Sequence, residues 1–222
     1  MCPTTAKNSC NQPRNTPPAI VVMGIGNLLW ADEGFGIRCV ELLQRRYEFA
    51  DNVQLLDGGT QGVYLVHHVQ SADRLLIFDA IDYGLPPGTM KIVEDADVPK
   101  YLGAKKMSLH QTGFQEVLAL AQLTDNYPER VVLIGCQPEE LEDYGGSLRP
   151  SVRAALEPAL EHALKHLGAW GAEPALRTAP LADGEAVTLP YLALERYEDE
   201  RPSEEEACRT GDARFLPAHV KE

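Results

Sequence analysis

Ile20-Val21-Val22-Met23-Gly24-Ile25-Gly26-Asn27-Leu28-Leu29-Trp30-Ala31-Asp32-Glu33-Gly34-Phe35-Gly36 is the stretch on which the fold turns. Four apolar residues without polar alternation, stopping at Gly24, read as a strand buried on both faces. The acidic pair Asp32-Glu33 then opens a helix from about Asp32. Ile37, Val40, Leu43 and Tyr47 form its apolar stripe. A buried strand, a glycine turn and an amphipathic helix together predict the first unit of an α/β sheet.

The same rhythm continues on the C-terminal side. Val53 to Leu56 is a second strand, stopped by Asp57-Gly58-Gly59, and Val63 to Val69 a short helix. Leu75-Leu76-Ile77-Phe78 is a third buried strand that ends at Asp79. Thr89 to Val93 follows the turn signal Pro87-Gly88 and reads as an extra strand or hairpin arm. Thr112 and Gln115 form a capping-box pattern that predicts a helix start at Thr112, with Phe114, Val117, Leu118 and Ala121 as its stripe. Val131 to Ile134 is another buried strand. A last helix is expected from about Pro150 to Leu167, kinked by Pro158, with Gly168 at its C′ position. The expected fold class is α/β: a single three-layer domain with a mostly parallel twisted sheet flanked by helices.

Three regions differ in composition. Residues 1–18 are polar and proline-containing and read as a flexible leader. Residues 19–168 carry the α/β domain. Residues 169–222 hold twice as many acidic as basic residues and read as an acidic extension, partly disordered and outside catalysis. The 222-residue chain carries a formal net charge of −13, which opposes nucleic acid and anionic lipid as partners. No apolar run is long enough to span a bilayer, and residues 1–18 lack the apolar core of a secretory signal. Five scattered cysteines with no CxxC pair favour a reducing compartment, and a cytoplasmic monomer is expected. Cys39 and Cys136, in apolar contexts, are expected to be buried, unreactive thiols.

Ligands in open α/β sheets bind beyond the carboxyl ends of the strands. The polar residues there are Gly24, Gly26, Asn27, Asp32 and Glu33, then Asp57-Gly58-Gly59-Thr60, then Asp79 and Asp82, then Cys136 and Gln137, with His110 before the capped helix. A dinucleotide loop is disfavoured: the third glycine of the fingerprint is missing at Leu29, and Asp32 and Glu33 would repel a pyrophosphate. Glu33, Asp79 and His110 suit a borderline divalent ion such as nickel or zinc, with coordination positions left open. Taken singly, each has an ordinary role: a first-turn acid for Glu33, a cap for Asp79, a loop histidine for His110. The adjacent His67 and His68 suit surface or packing roles. No Gly-x-Ser-x-Gly elbow and no His-Glu-x-x-His helix is present.

Met23 to Gly36, Leu56-Asp57-Gly58-Gly59-Thr60, Leu76-Ile77-Phe78-Asp79-Ala80, Ser108-Leu109-His110-Gln111-Thr112-Gly113 and Glu157-Pro158-Ala159-Leu160, in that order, resemble the hydrogenase maturation endopeptidases. The likeness covers about Ile20 to Leu167. It implies a hydrolase, either aspartic-type or metal-assisted. The implied substrate is the nickel-loaded precursor of a nickel–iron hydrogenase large subunit, cut once to release its C-terminal peptide. It places the family's metal-binding trio on Glu33, Asp79 and His110. The nickel is supplied by the substrate, and no nucleotide is required. Asp57 to Thr60 resembles the region associated with choice among precursors. Two mechanisms fit: a metal that polarises the scissile carbonyl, or a metal that serves only as a handle while a carboxylate, Asp79 or Glu33, activates water. Backbone N–H groups of Gly24 to Asn27 or Gly58 to Thr60 are candidates for an oxyanion site. The rival readings are a nucleotide-dependent Rossmann-like enzyme and a non-catalytic nickel-dependent checkpoint protein.

Overall fold

A computed structural model describes residues 16–102, 109–182 and 184–201, without the side chains of 101–102 and 109–112. Most of the leader, Cys2, Cys10, Cys208 and the stretch 202–222 lie outside the described residues. The elements run β1 (Ile20–Ile25), α1 (Phe35–Arg46), β2 (Tyr47–Glu48), β3 (Val53–Gly59), α2 (Val66–Ser71), β4 (Arg74–Ala80) and β5 (Met90–Glu94). They continue with α3 (Val98–Leu102), α4 (Leu109–Leu123), β6 (Arg130–Cys136), α5 (Pro150–Ala154), α6 (Leu156–Ala169), β7 (Ala175–Leu176) and α7 (Leu194–Glu200).

Five strands form one sheet in the order β3-β1-β4-β6-β5. All neighbours are parallel except β5, which pairs antiparallel with β6 at the edge. The central strands are apolar throughout because each packs both faces. Ile20 and Val22, Leu76, Phe78 and Ala80, and Val132, Ile134 and Cys136 pack with α1 and α6. Val21, Met23 and Ile25, Leu75 and Ile77, and Val131 and Leu133 pack with α2 and α4. Alternation of side chains across a strand thus divides one sheet between two cores.

Several boundaries differ from the sequence expectation. Helix α4 starts at Leu109, so Thr112 lies inside it. The last helix is broken at Ala155. Pro158 has no N–H to give the carbonyl of Ala154, and its ring would crowd that carbonyl. Gly168 stays helical. The left-handed residue after the helix is Gly171, with φ +78°. Strand β3 runs through Gly59, with an irregularity opposite Gly24/Ile25. A Cβ on Gly58 would lie 2.7 Å from Ile25 Cδ1, 2.9 Å from Met23 Cγ and 3.0 Å from the Gly24 carbonyl oxygen, so a larger residue there would push β1 side chains aside.

The stretch after Gly168 contributes to the first core. Trp170, Ala172 and Leu194 are buried, and Val187 packs against that cluster. Residues 188–200 run as a strap over α1. Within α1, Arg38 and Glu41 form a buried ion pair at 2.7 Å. Arg38 Nη1 also donates to the carbonyl of Leu192, Glu41 Oε1 accepts from the N–H of Leu194 at 3.0 Å, and the guanidinium lies 5.6 Å from the centre of the Tyr197 ring. The strap also reaches the 143–147 loop: Tyr197 donates to the carbonyl of Gly146, Ser147 bonds Glu198, and Arg153 pairs with Glu198.

Candidate active site

The turn that carries Glu33 is a short 3-10 helix, Ala31–Gly34, between β1 and α1. It is locked against the β1 loop: Asn27 N–H donates to the carbonyl of Glu33 at 3.2 Å. Gly26 has φ +137°, and a Cβ there would fall 1.8 Å from the Glu33 carbonyl oxygen. Only glycine allows both the conformation and the approach.

Asp79 lies near the end of β4 and is 1% exposed. Because Leu75 and Ile77 face α4 while Phe78 and Ala80 face α1, strand alternation turns Asp79 to the α4 side. Its strand end meets the start of α1, since a Cβ on Gly36 would lie 2.3 Å from both the Ile25 and Phe78 carbonyl oxygens. The Glu33 turn and Asp79 therefore sit at one sheet edge.

His110 occupies the first turn of α4. Its side chain lies outside the described residues. One turn further on, Gly113 packs against Gly62, with a Cβ on Gly113 reaching 3.3 Å from the Gly62 Cα. Gly62 follows the Asp57-Gly58-Gly59-Thr60 loop, and the Gly59 carbonyl accepts the N–H of Gly26 at 3.1 Å. The backbone thus joins the α4 start, the 57–62 loop and the Glu33 turn in sequence around the same edge.

Within that loop, Gly58 is buried, Thr60 exposed, and Gly59 takes φ +48°. Asp57 is half-buried. Burial pushes its carboxyl above the usual range, opposed by the backbone N–H of Gly59 and by the charge of Arg38. The oxyanion expectation is corrected at Gly26 and Asn27, whose N–H groups are engaged by Gly59 and Glu33.

Asp32 and Gln137, both beyond strand ends, are structural organisers. Asp32 is fully buried, and its carboxylate accepts backbone N–H bonds from Glu139 at 2.8 Å, Glu140 at 2.9 Å and Arg149 at 2.7 Å. Gln137 accepts from the N–H groups of Tyr83 and Leu85 and donates to Asp82, pinning the loop after β4. The 139–149 loop held by Asp32 also touches the other flank of the Glu33 turn. Tyr144 packs edge-on to Trp30 at 5.3 Å, and Gly145 N–H donates to the carbonyl of Leu29. Its only sequence signal was the acid-rich run Glu139 to Asp143, which resembles an ordinary solvated loop.

His67 is exposed and lies 2.9 Å from the Tyr64 carbonyl, and His68 lies 3.3 Å from the Gln54 side-chain oxygen. Cys39 and Cys136 are buried thiols. Burial drives the first well above its usual range and the second to about 12. No helix among the described residues is long and apolar enough to cross a membrane.

Comparison with known proteins gives a concordant result. The family model of the hydrogenase maturation proteases matches residues 37–166. The hydrogenase expression/formation protein HoxM of Cupriavidus necator is 71% identical over 198 residues, covering 89% of this chain and 98% of that protein. HoxM of Azotobacter vinelandii is 62% identical over 202 residues, covering 91% and 96%. Among solved structures, the hydrogenase maturating endopeptidase HybD from Escherichia coli aligns with a TM-score of 0.68 and 42% identity, covering 72% of this chain and 98% of that one.

Proposed function

The chain belongs to the hydrogenase maturation protease family and is a peptidase, and from that premise we propose that it removes the C-terminal peptide of the nickel-loaded precursor of a nickel–iron hydrogenase large subunit. The observation that carries this reading is the placement of the Glu33 turn and buried Asp79 at one sheet edge, with the start of α4 joined to it through Gly62 and Gly113. Two carboxylates and an imidazole suit a borderline divalent ion and leave coordination positions for groups of the precursor. Glu33, Asp79 and His110 would touch the nickel that the precursor itself carries. In this reading recognition of the inserted metal and proximity of the scissile bond coincide.

The chemistry of the chain's own groups follows. Asp79 takes a proton from water as the water oxygen adds to the scissile carbonyl and returns it to the leaving nitrogen as the C–N bond breaks, and Glu33 holds the bound precursor in register. The 57–60 loop, whose glycines bring backbone close to the site edge, contacts the segment that distinguishes one precursor from another. The working protein is a cytoplasmic monomer that needs no nucleotide. The test incubates purified chain with nickel-loaded and with apo precursor and weighs the products by mass spectrometry. Cleavage of the loaded precursor alone is expected. Efficient cutting of the apo precursor would end nickel recognition, and binding without cutting would favour a checkpoint protein.

A further inference from the structure

We infer that Asp32 is a positioning residue for Glu33: its buried carboxylate ties the turn carrying Glu33 to the 139–149 loop. This rests on the proposed role of Glu33 at the precursor. The turn is not self-sufficient. Ala31, immediately before Asp32, adopts φ +38°, in the left-handed region that a residue with a Cβ enters only when its surroundings impose it. On one side Gly26 and Asn27 hold the Glu33 carbonyl. On the other, three N–H groups from residues 107 to 117 positions away converge on the two Asp32 oxygens. The N–H of Asp32 returns a bond to the Glu140 carbonyl at 3.1 Å. The residue is 0% exposed, so water does not substitute for any of these donors. A carboxylate suits three converging donors, because both its oxygens only accept. An asparagine of the same shape would turn an NH2 group toward at least one N–H.

Asp32 makes no proposed contact with substrate, and Asp79 and His110 would still engage the nickel, so its effect should fall on the alignment that Glu33 gives the bound precursor rather than on capture of it. Asp32→Asn should lower kcat by about tenfold or more, as small misplacements of a working group do. KM for the loaded precursor should stay within about twofold. Should Asp32→Asn fail to fold, the clamp can be opened from its other end. Arg149 has φ −64°, which proline adopts, so Arg149→Pro deletes one donor to Asp32 without forcing that angle. Arg149→Ala keeps the N–H and loses only the ion pair with Asp143.

The experiment measures kcat, KM and folded fraction for Asp32→Asn, Arg149→Pro, Arg149→Ala and Glu33→Gln, with hydrogen exchange at the Glu139, Glu140 and Arg149 amides. Expected are a fall in kcat for Asp32→Asn and Arg149→Pro, near-normal Arg149→Ala, and loss of protection at Glu139 and Glu140 in Asp32→Asn. Wild-type kcat in Arg149→Pro or Asp32→Asn, or a fall no larger than the loss of folded protein, overturns the inference. Full activity in Glu33→Gln instead overturns the role of Glu33, which separates the two failures.

Discussion

Glu41→Ala is the sharpest test of how the strap is attached. The Arg38 and Glu41 side chains are only 3% and 4% exposed, so their attraction is not discounted by solvent. Removing Glu41 leaves the guanidinium buried with the Leu192 carbonyl and the Tyr197 ring, and leaves the N–H of Leu194 without its acceptor. Breaking a buried pair from one side costs about 3–5 kcal/mol. At about 2–4 °C per kcal/mol for a chain of this size, the melting temperature should fall by roughly 6–20 °C. The double change Arg38→Met with Glu41→Leu removes both charges and should recover much of that loss. The assay is thermal unfolding together with trypsin digestion. The Arg196 side chain is already exposed; release of the strap frees the backbone around it to enter a protease site, and cleavage there should accelerate in Glu41→Ala before the sheet unfolds. A melting temperature within about 2 °C of wild type, with unchanged cleavage at Arg196, would refute the idea that this pair fastens the strap.

Further outcomes follow from the site. Gly26→Ala would put a Cβ 1.8 Å from the Glu33 carbonyl in a conformation alanine avoids, so soluble yield or melting temperature should fall and processing should be lost, as read by circular dichroism and precursor mass. Asp79→Asn should still bind loaded precursor in a pull-down but should not cut it, whereas His110→Ala should weaken the binding itself. At Asp57, burial raises the folded-state carboxyl above its usual 3.8, so ionising it opposes folding: the cost is absent below the unfolded value and complete above the folded one. Asp57→Asn should therefore gain melting temperature over wild type as pH rises from acid to neutral, and a gain confined to acid pH would contradict this. Cys39 and Cys136 should resist a thiol reagent in the folded protein at neutral pH and react after denaturation, as followed by peptide mass mapping.

Much of the sheet was legible because its strands are buried on both faces, and a continuous apolar run such as Leu75 to Phe78 has few other uses in a chain of this composition. Helix ends were less so. Thr112 and Gln115 form a sound local cap pattern, yet the helix begins before them. The signal of Pro158 is plain, but the break it causes falls three residues upstream, at Ala155. Gly168 carried the same signal as Gly171, and only the latter has the left-handed angle. The candidate residues Glu33 and Asp79 could be found because strand ends are where such sheets bind ligands. The role of Asp32 could not, since its three partners lie more than a hundred residues away. Arg38 and Glu41 were equally opaque. Spaced three apart on a helix, they look like a solvated surface pair, and only the strap buries them.

The two-sided packing of β4 has a consequence for how this chain can change. Asp79 reaches the α4 layer because it is odd in a strand whose even members fill the opposite layer. Deleting or inserting one residue between Arg74 and Phe78, with the preceding residues kept in register, would reverse every side chain after the change, sending the carboxylate into the apolar layer beneath α1 and α6. No intermediate placement exists, because a pleated strand offers two directions and nothing between. The carboxylate can be replaced by another side chain, but its position cannot drift by small steps. Adjustment to a differently shaped substrate must come instead from the segments whose length is unconstrained by pleating: the 60–62 turn, the 139–149 loop and the strap.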